Sequence, residues 1–365
     1  MSFAMNSKWK SQLAASACVL ALSGSAASSK ELTEVVVGLP TNININQAIA
    51  TAAMELGYFE EEGIKVKLQD FQGAAIVIPQ VSTKSILIGS GGGDPLVVAN
   101  QPGKARVPVK FFYNQSRDYI WEFVVPENSP IKTIADIKGK TIGVGSLSNS
   151  HMPVTRLIMK ENGLELTKDY KVMAISIGGP AFKALMDGQV DVYNTWNANI
   201  AGFESFGTKL RRIPISPRFK NLFTVGYFAH EDTIKEKPDI LAGFGRGITK
   251  GTLTCQVAMD WCVRNFWKYY PNLKPREGSE AENVKRLGYA VEQGSKTFFA
   301  FPEGQPRKFA EYPEGAWQGF IDILYEGGEI STNKIDPGTF YTNELVGKIN
   351  NFDTAAVEKK AATLK

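Results

Sequence analysis

The side chains in this sequence that could bind or transform another molecule are concentrated in short polar loops, each placed after an apolar run. The first such loop reads TNININ, where Asn42, Asn44 and Asn46 alternate with isoleucine. A carboxamide offers two donor hydrogens and an acceptor oxygen, so it suits a small molecule of mixed polarity. The same residues also suit a turn in which asparagine caps the next helix. We expect at least one of the three to contact a bound molecule.

Two further loops combine small residues with the start of a predicted helix. In SGGGDP, Gly91 would let the backbone approach a bound molecule, and Asp94 would either contact that molecule or cap the helix. In GSLSNSHMP, polar side chains precede a helix whose free N–H groups favour an anion. The candidate contacts in this loop are Ser146, Ser148, Asn149 and His151. Helix capping is the alternative for both loops.

An aromatic loop and a chain crossing supply the remaining candidates. In NTWNAN, Trp196 could stack on a flat or apolar molecule while Asn194 bonds its polar edge, although a core role for the tryptophan stays open. Asn114 and Arg117 lie just before a predicted crossing between two modules. Arg117 could pair with a carboxylate or a sulfonate, but a surface position is the more common role of an arginine.

The composition argues against several other chemistries. The two histidines, His151 and His230, lie in no metal-binding motif, so we predict no metal site. Because the sequence has no Walker A, GxGxxG or GxSxG motif, we predict no catalytic residue and no cofactor. The net charge of +4 comes without a basic stripe, so we do not expect nucleic acid as a partner.

The cysteines predict no disulfide. Cys255 and Cys262 are seven positions apart in one predicted helix. A continuous helix would separate their Cα atoms by roughly 10 Å, which exceeds the roughly 7 Å limit for a bridge. We therefore expect two small buried thiols.

Residues 1–27 have the pattern of a Sec-type signal peptide. Lys8 and Lys10 precede the apolar run LAASACVLAL, and small residues follow it up to a cleavage site after Ala26 or Ala27. Ten apolar residues are too few for a transmembrane helix. We expect an exported, periplasmic protein in which Cys18 is not lipidated.

The remaining chain alternates predicted strands and helices. The strands of a first series fall at 35–39, 65–71, 85–89 and 109–113, and those of a second at 121–125, 141–144, 172–177, 190–193 and 209–213. After a strand at 223–229 the chain is mostly helical, at 239–269, 281–293, 315–326 and 343–350. This order predicts two α/β modules with largely parallel sheets covered on both faces.

Four segments resemble solute-binding proteins of the nitrate/sulfonate/taurine type, a family that also includes binders of thiamine pyrimidine precursors. They stand in the family's order across about residues 33–353. Their sequences are IATAAMELGYFEEEGIKVKL, SPIKTIADIKGKTIGV, ALMDGQVDVY and FYTNELVGKINNFD.

The resemblance implies the type II periplasmic-binding-protein fold, in which two α/β lobes are joined by a two-segment hinge and the C-terminal part is helical. It places lobe one at 31–120 plus 227–365 and lobe two at 121–226. The implied partners are a small-molecule ligand and the permease and ATPase subunits of an ABC importer. We expect a monomer, because a clamp must move freely.

The ligand itself stays open on the sequence. One arginine and several polar loops favour a small organic anion, such as a sulfonate or an aromatic carboxylate. The asparagines and Trp196 suit a neutral heterocycle equally well. A fold-related enzyme of the thiamine-pyrimidine-synthesis type is the alternative function, but the cleft loops hold no lysine and a single histidine.

Overall fold

Alternating apolar and helical segments fold into two five-stranded sheets within the residues that the computed structural model describes, which are 31–220, 222–301 and 303–365. The predicted signal peptide, including Cys18, lies outside the described residues. The strands are β1 (Thr33–Leu39), β2 (Ile64–Asp70), β3 (Ile88–Gly91), β4 (Val109–Asn114), β5 (Trp121–Pro126), β6 (Thr141–Val144), β7 (Lys171–Ala174), β8 (Val192–Trp196), β9 (Leu210–Ile213) and β10 (Gly226–His230).

The helices largely follow the predicted order. They are α1 (Ala48–Glu55), α2 (Ala74–Ser82), α3 (Asp94–Ala99), α4 (Met152–Glu161), α5 (Gly179–Met186), α6 (Asn197–Ser205), α7 (Glu231–Glu236), α8 (Pro238–Val257), α9 (Met259–Tyr269), α10 (Glu280–Ser295), α11 (Ala316–Gly327), α12 (Val346–Ile349) and α13 (Thr354–Ala361). Short 3-10 turns at positions such as Ile45–Gln47 connect them. Among the described helices, none is long and apolar enough to cross a lipid bilayer.

Both sheets have the same arrangement. The first has the strand order β2-β1-β3-β10-β4 and the second β7-β6-β8-β5-β9. In each, four strands run in the same direction, and the fourth strand in the order is antiparallel to both of its neighbours. Those two antiparallel strands, β10 and β5, are the ones that the chain enters immediately after crossing from the other sheet. The carboxyl ends of the parallel strands therefore face the place where the crossings lie.

The two crossing segments, 115–120 and 214–225, are hydrogen-bonded to each other. The amide of Ser116 donates to the carbonyl of Val225 at 2.9 Å, and the amide of Thr224 donates back to the carbonyl of Ser116 at 3.0 Å. Paired backbone segments of this kind can bend together while keeping their mutual bonds.

Strand burial follows position in the sheet. All five residues of the inner strands β8 and β10 are buried, as expected where helices cover both faces. The edge strand β2 instead alternates, with Lys65 and Lys67 exposed between buried Ile64 and Val66. Lysines on an edge strand discourage pairing with another chain.

The helical C-terminal part contains a disulfide that the sequence reasoning excluded. The predicted helix at 239–269 is broken at Ala258, whose backbone leaves the helical region at φ −122° and ψ 52°. The break brings the Cα atoms of Cys255 and Cys262 to 5.6 Å, and the two sulfurs are bonded. The prediction of two free thiols is therefore wrong. It assumed a continuous helix, and neither glycine nor proline marks the break in the sequence.

Candidate functional site

A cavity of about 160 Å³ lies where the two sheets and both crossing segments meet. The first sheet contributes the ends of β1 and β3, and the second contributes the end of β8. Helices α1, α6, α8 and α10 contribute further lining residues. The cavity thus occupies the position that the strand order favours for a ligand.

Two tryptophans form the side of the cavity nearest the second sheet. Trp121 begins β5 directly after the first crossing, and Trp196 ends β8; the two are partners in the antiparallel ladder. Their rings meet edge to face, with centroids 6.0 Å apart. Both are buried, and the indole Nε1–H of Trp196 has no hydrogen-bond partner among the described residues. Burying a donor without a partner is costly, so an acceptor at this point would stabilise the site.

The asparagine-rich loop forms a second side, but its three asparagines have different surroundings. Asn44 caps the next turn: its side-chain oxygen accepts from the amide of Asn46 at 3.1 Å, and its own amide donates to Gln47 Oε1 at 2.8 Å. Asn46 lines the cavity, and its side-chain amide makes no hydrogen bond to the described residues. Asn42 does not line the cavity; its Oδ1 accepts from Gln72 Nε2 at 2.9 Å.

The third side is built from apolar helix residues that sequence reasoning did not select. Phe244 and Ile248 of α8 reach the cavity, as do Val291 and Gly294 of α10. A Cβ at Gly294 would lie 2.7 Å from the Cβ of Ala198, so the glycine permits close packing of α10 on α6. In the sequence, the signal for the contact between α10 and α6 is the glycine inside an otherwise regular helix. The apolar residues give no such signal, because the same residue types and spacing occur in a cavity wall and in a core.

No charged side chain occurs among the described residues that line the cavity. The polar lining consists of uncharged groups, namely Thr41, Asn44, Asn46, Gln47, Ser90, Gln115, Asn197, Tyr227 and Ser295. The described part of the chain also holds no group of three or more His, Cys, Asp or Glu side chains placed to bind a metal ion.

The serine-rich loop before α4 does not line the cavity. The hydroxyls of Ser146 and Ser148 both donate to the backbone carbonyl of Gln72, which belongs to the segment after β2. Asn149 is buried in the same turn. These contacts link the loop after β6 of the second sheet to the segment after β2 of the first sheet.

His151 lies behind the tryptophan pair. Its ring stacks on that of Trp121, with centroids 3.7 Å apart and planes inclined by 19°. It is 1% exposed, and neither ring nitrogen has a hydrogen-bond partner among the described residues. Burial lowers the pKa of His151 to about 3, so the imidazole is neutral at physiological pH.

The two predicted site residues of the glycine-rich loop, Gly91 and Asp94, have structural positions outside the cavity lining. A Cβ at Gly91 would lie 2.6 Å from the Cβ of Ala74, so β3 approaches α2 closely there. Asp94 is the first residue of α3, with Gly93 in the N-cap position that the sequence assigned to the aspartate. Burial raises the pKa of Asp94 to about 8. Neither residue lines the cavity, whereas Ser90 of the same loop does.

Three other predicted residues form hydrogen bonds with protein groups outside the cavity. Asn114 Nδ2 and an Arg117 guanidinium N–H both donate to the carbonyl of Glu311, each at 3.2 Å, and Arg117 also covers a phenylalanine ring. Asn194 accepts from the hydroxyl of Thr155 at 2.8 Å. The cavity instead receives Gln115, which lies between Asn114 and Arg117 in the first crossing.

Comparisons with known proteins identify what the chain is similar to. The family model described as NMT1/THI5 like matches residues 44–257. A protein of Escherichia coli K12 described as binding aliphatic sulfonates is 28% identical over 133 residues, which are 36% of this chain and 40% of that protein. The match therefore spans less than half of that relative's length.

Solved structures share the fold at low sequence identity. The alkanesulfonate-binding protein of Xanthomonas axonopodis pv. citri, determined with bound MOPS, superimposes with a TM-score of 0.62 at 13% identity, covering 86% of this chain and 99% of its own. The desulfurization enzyme DSZB superimposes with a TM-score of 0.52 at 14% identity, covering 87% of this chain and 98% of its own. Together with the two sheets, these matches confirm the predicted fold class, the type II periplasmic-binding-protein fold.

Proposed function

Since the chain belongs to the NMT1/THI5 like family, as its four sequence segments predicted, we propose that it is an extracytoplasmic solute-binding protein. The observation that carries this proposal is the cavity, which draws its walls from both sheets and from both crossings. A molecule held there contacts each half of the protein at once. That is the arrangement by which a ligand can favour one relative position of two lobes over another.

We propose that the lobes are residues 31–120 with 227–365, and residues 121–226, and that they move about the paired crossings. A ligand stabilises the closed position by the contacts that exist only when both lobes surround it. Trp196 on one side and Asn46 on the other would supply such contacts. The helical part takes part in closure as well, because α10 packs on α6 and α11 packs on α4.

The partners follow from this function. The closed form would dock on the permease of an ABC importer, whose ATPase subunits drive release and uptake of the solute. Export by the predicted signal peptide would place the protein in the periplasm, where it would act as a monomer. The sulfonate relative in Escherichia coli supports transport of a small organic solute, and its own ligand need not be shared.

Catalysis is the second candidate, since the desulfurization enzyme has the same fold. Enzymatic group transfer requires an activated nucleophile, a general base or an electrophilic cation beside the substrate. The described lining residues include no Cys, His, Lys, Arg, Asp or Glu, and their hydroxyls have no base beside them in the cavity. These features favour binding without chemical change.

A thermal-shift screen of the purified protein against small organic solutes tests the proposal. A ligand that binds the folded state adds about 2.7 kcal/mol of stability at 100 times its dissociation constant. Trp196→Ala should abolish that shift for a hit compound. Trp261→Ala is the matched control, because Trp261 is half-buried in α9 away from the cavity. Equal loss of binding in both variants, or conversion of the hit compound to a product, would contradict the proposal.

A further inference from the structure

We infer that the cavity takes an uncharged molecule about the size of one ring that presents a hydrogen-bond acceptor to Trp196. This inference rests on the proposed function and names the class of solute. It differs from the sulfonates named for the relatives, which are anions. It also reverses the slight preference for an organic anion that the sequence alone suggested.

The first support is the absence of a counter-charge among the described lining residues. The inner wall is well shielded from water, with Trp121, Tyr227 and Ser90 exposed by 9%, 7% and 5%. An ionised sulfonate or carboxylate placed against such a wall loses hydration without gaining a cation. Burying an unpaired charge costs far more than a few uncharged hydrogen bonds return.

The second support is that the first amides at two turns beside the cavity already have acceptors. Free backbone N–H groups that point at an anion can bind it in place of a cationic side chain. At the start of α6, however, the amide of Asn197 donates to the carbonyl of Ile120 and the amide of Ala198 donates to Asn197 Oδ1. In the turn before α1, Asn44 accepts from the amide of Asn46. These three amides are therefore not free to bind an anion.

The third support is that the chain's own candidates for anion binding are engaged elsewhere. The guanidinium of Arg117 is held by backbone carbonyls, and the hydroxyls of Ser146 and Ser148 are bonded to Gln72. Using the two serines for a ligand would break contacts that join the two sheets, and using Arg117 would break its bonds to the carbonyls of Lys308 and Glu311. An uncharged ligand requires no such change.

Size and hydrogen bonding define the remaining features. A cavity of roughly 150 Å³ holds benzene in another protein, so about 160 Å³ fits one ring with a small substituent. The Nε1–H of Trp196 is a donor only, and it is buried without a partner. An acceptor such as a carbonyl, a ring nitrogen or an ether oxygen would satisfy it. The amide of Asn46 can serve either a donor or an acceptor on the same molecule.

Matched pairs of ring compounds test the charge. The probes are a library of one-ring amides and sulfonamides, each with its carboxylate or sulfonate counterpart, beginning with benzamide against benzoate and benzenesulfonamide against benzenesulfonate. We expect the binders found by titration calorimetry at pH 7.5 to be uncharged, with at least about tenfold weaker binding of the anionic partner. Binders that are mainly anionic would overturn the inference and leave solute binding intact. A library without any binder would count against the proposed function itself.

Two tryptophan variants test the hydrogen bond. Trp196→Phe keeps an aromatic ring and removes the donor, so affinity for an acceptor-bearing hit should fall about fivefold to tenfold. Trp317→Phe is the control: its Nε1 is also buried without a described partner, but it lies in the core beside Phe320, outside the cavity lining. Affinity should be unchanged in this control. Unchanged affinity in Trp196→Phe, with native thermal stability, would refute the assigned acceptor.

Discussion

Acid should destabilise this protein through His151, and the size of the effect follows from its surroundings. The imidazole is 1% exposed, stacks on Trp121, and has no described hydrogen-bond partner on either nitrogen. Burial lowers its pKa to about 3, whereas an unfolded chain leaves a histidine near 6.5. Between these two values the unfolded state binds the extra proton, so the free energy of unfolding falls as the pH decreases.

At pH 5 the loss amounts to about 2 kcal/mol, since the pH lies about 1.5 units below the unfolded pKa and each unit is worth about 1.4 kcal/mol. Well above pH 6.5 the histidine is neutral in both states and leaves the free energy of unfolding unchanged. Below that pH the free energy of unfolding falls progressively. The variant His151→Phe keeps a flat ring against Trp121 and cannot be protonated.

Urea unfolding of the wild type and of His151→Phe at pH 7.5 and pH 5.0 measures the effect. Carboxylates titrate in both proteins, so their contribution cancels in the difference between the two. The wild type should lose about 2 kcal/mol more than the variant on acidification. The imidazole's interaction with the Asn194 side chain is lost in the variant at both pH values, so this loss cancels in the comparison. Equal losses on acidification would refute the buried, neutral state of His151.

Two further outcomes follow from the same structure. Reduction of the Cys255–Cys262 disulfide should lower the free energy of unfolding by about 2 kcal/mol, since this disulfide closes a short loop. Urea unfolding with and without dithiothreitol measures the change. The double variant Cys255→Ala/Cys262→Ala should show no response to the reductant. The affinity for an uncharged hit compound should change by less than about twofold between about 20 mM and 500 mM NaCl, because no described lining residue carries a charge for salt to screen. A steep loss of affinity with salt in calorimetry would indicate a charged group at the site.

The secondary structure could be predicted closely because its signals are local. The run at 35–39 lies within β1, and the predicted helix at 315–326 differs from α11 by one residue at each end. The failure at 239–269 has an equally local cause, a single residue, Ala258, with a non-helical backbone and no glycine or proline to announce it. After the break α9 packs against α1, and packing between distant segments is invisible in a short window of sequence.

The candidate site could be predicted only in part, because it is assembled from distant segments. Asn44, Asn46 and Trp196 could be found since each lies at or shortly after the end of a strand near the crossings. The fate of Ser148 could not, because its partner Gln72 lies 76 positions away and competes with any ligand for the hydroxyl. The apolar wall from α8 could not be found either, as Phe244 has the same spacing as a core residue.

The same division of residues shows how a chain with this fold could bind the uncharged solute that we propose. The groups suited to an anion, Ser146, Ser148 and Arg117, bond to backbone carbonyls and so stabilise contacts between segments. The cavity is left with carboxamides, hydroxyls and indole, which select a ligand by shape and by uncharged hydrogen bonds. Making the site bind an anion should therefore require a new cation within the cavity. Releasing Ser148 from Gln72 would loosen a contact between the sheets and would add no charge to the wall around Trp196.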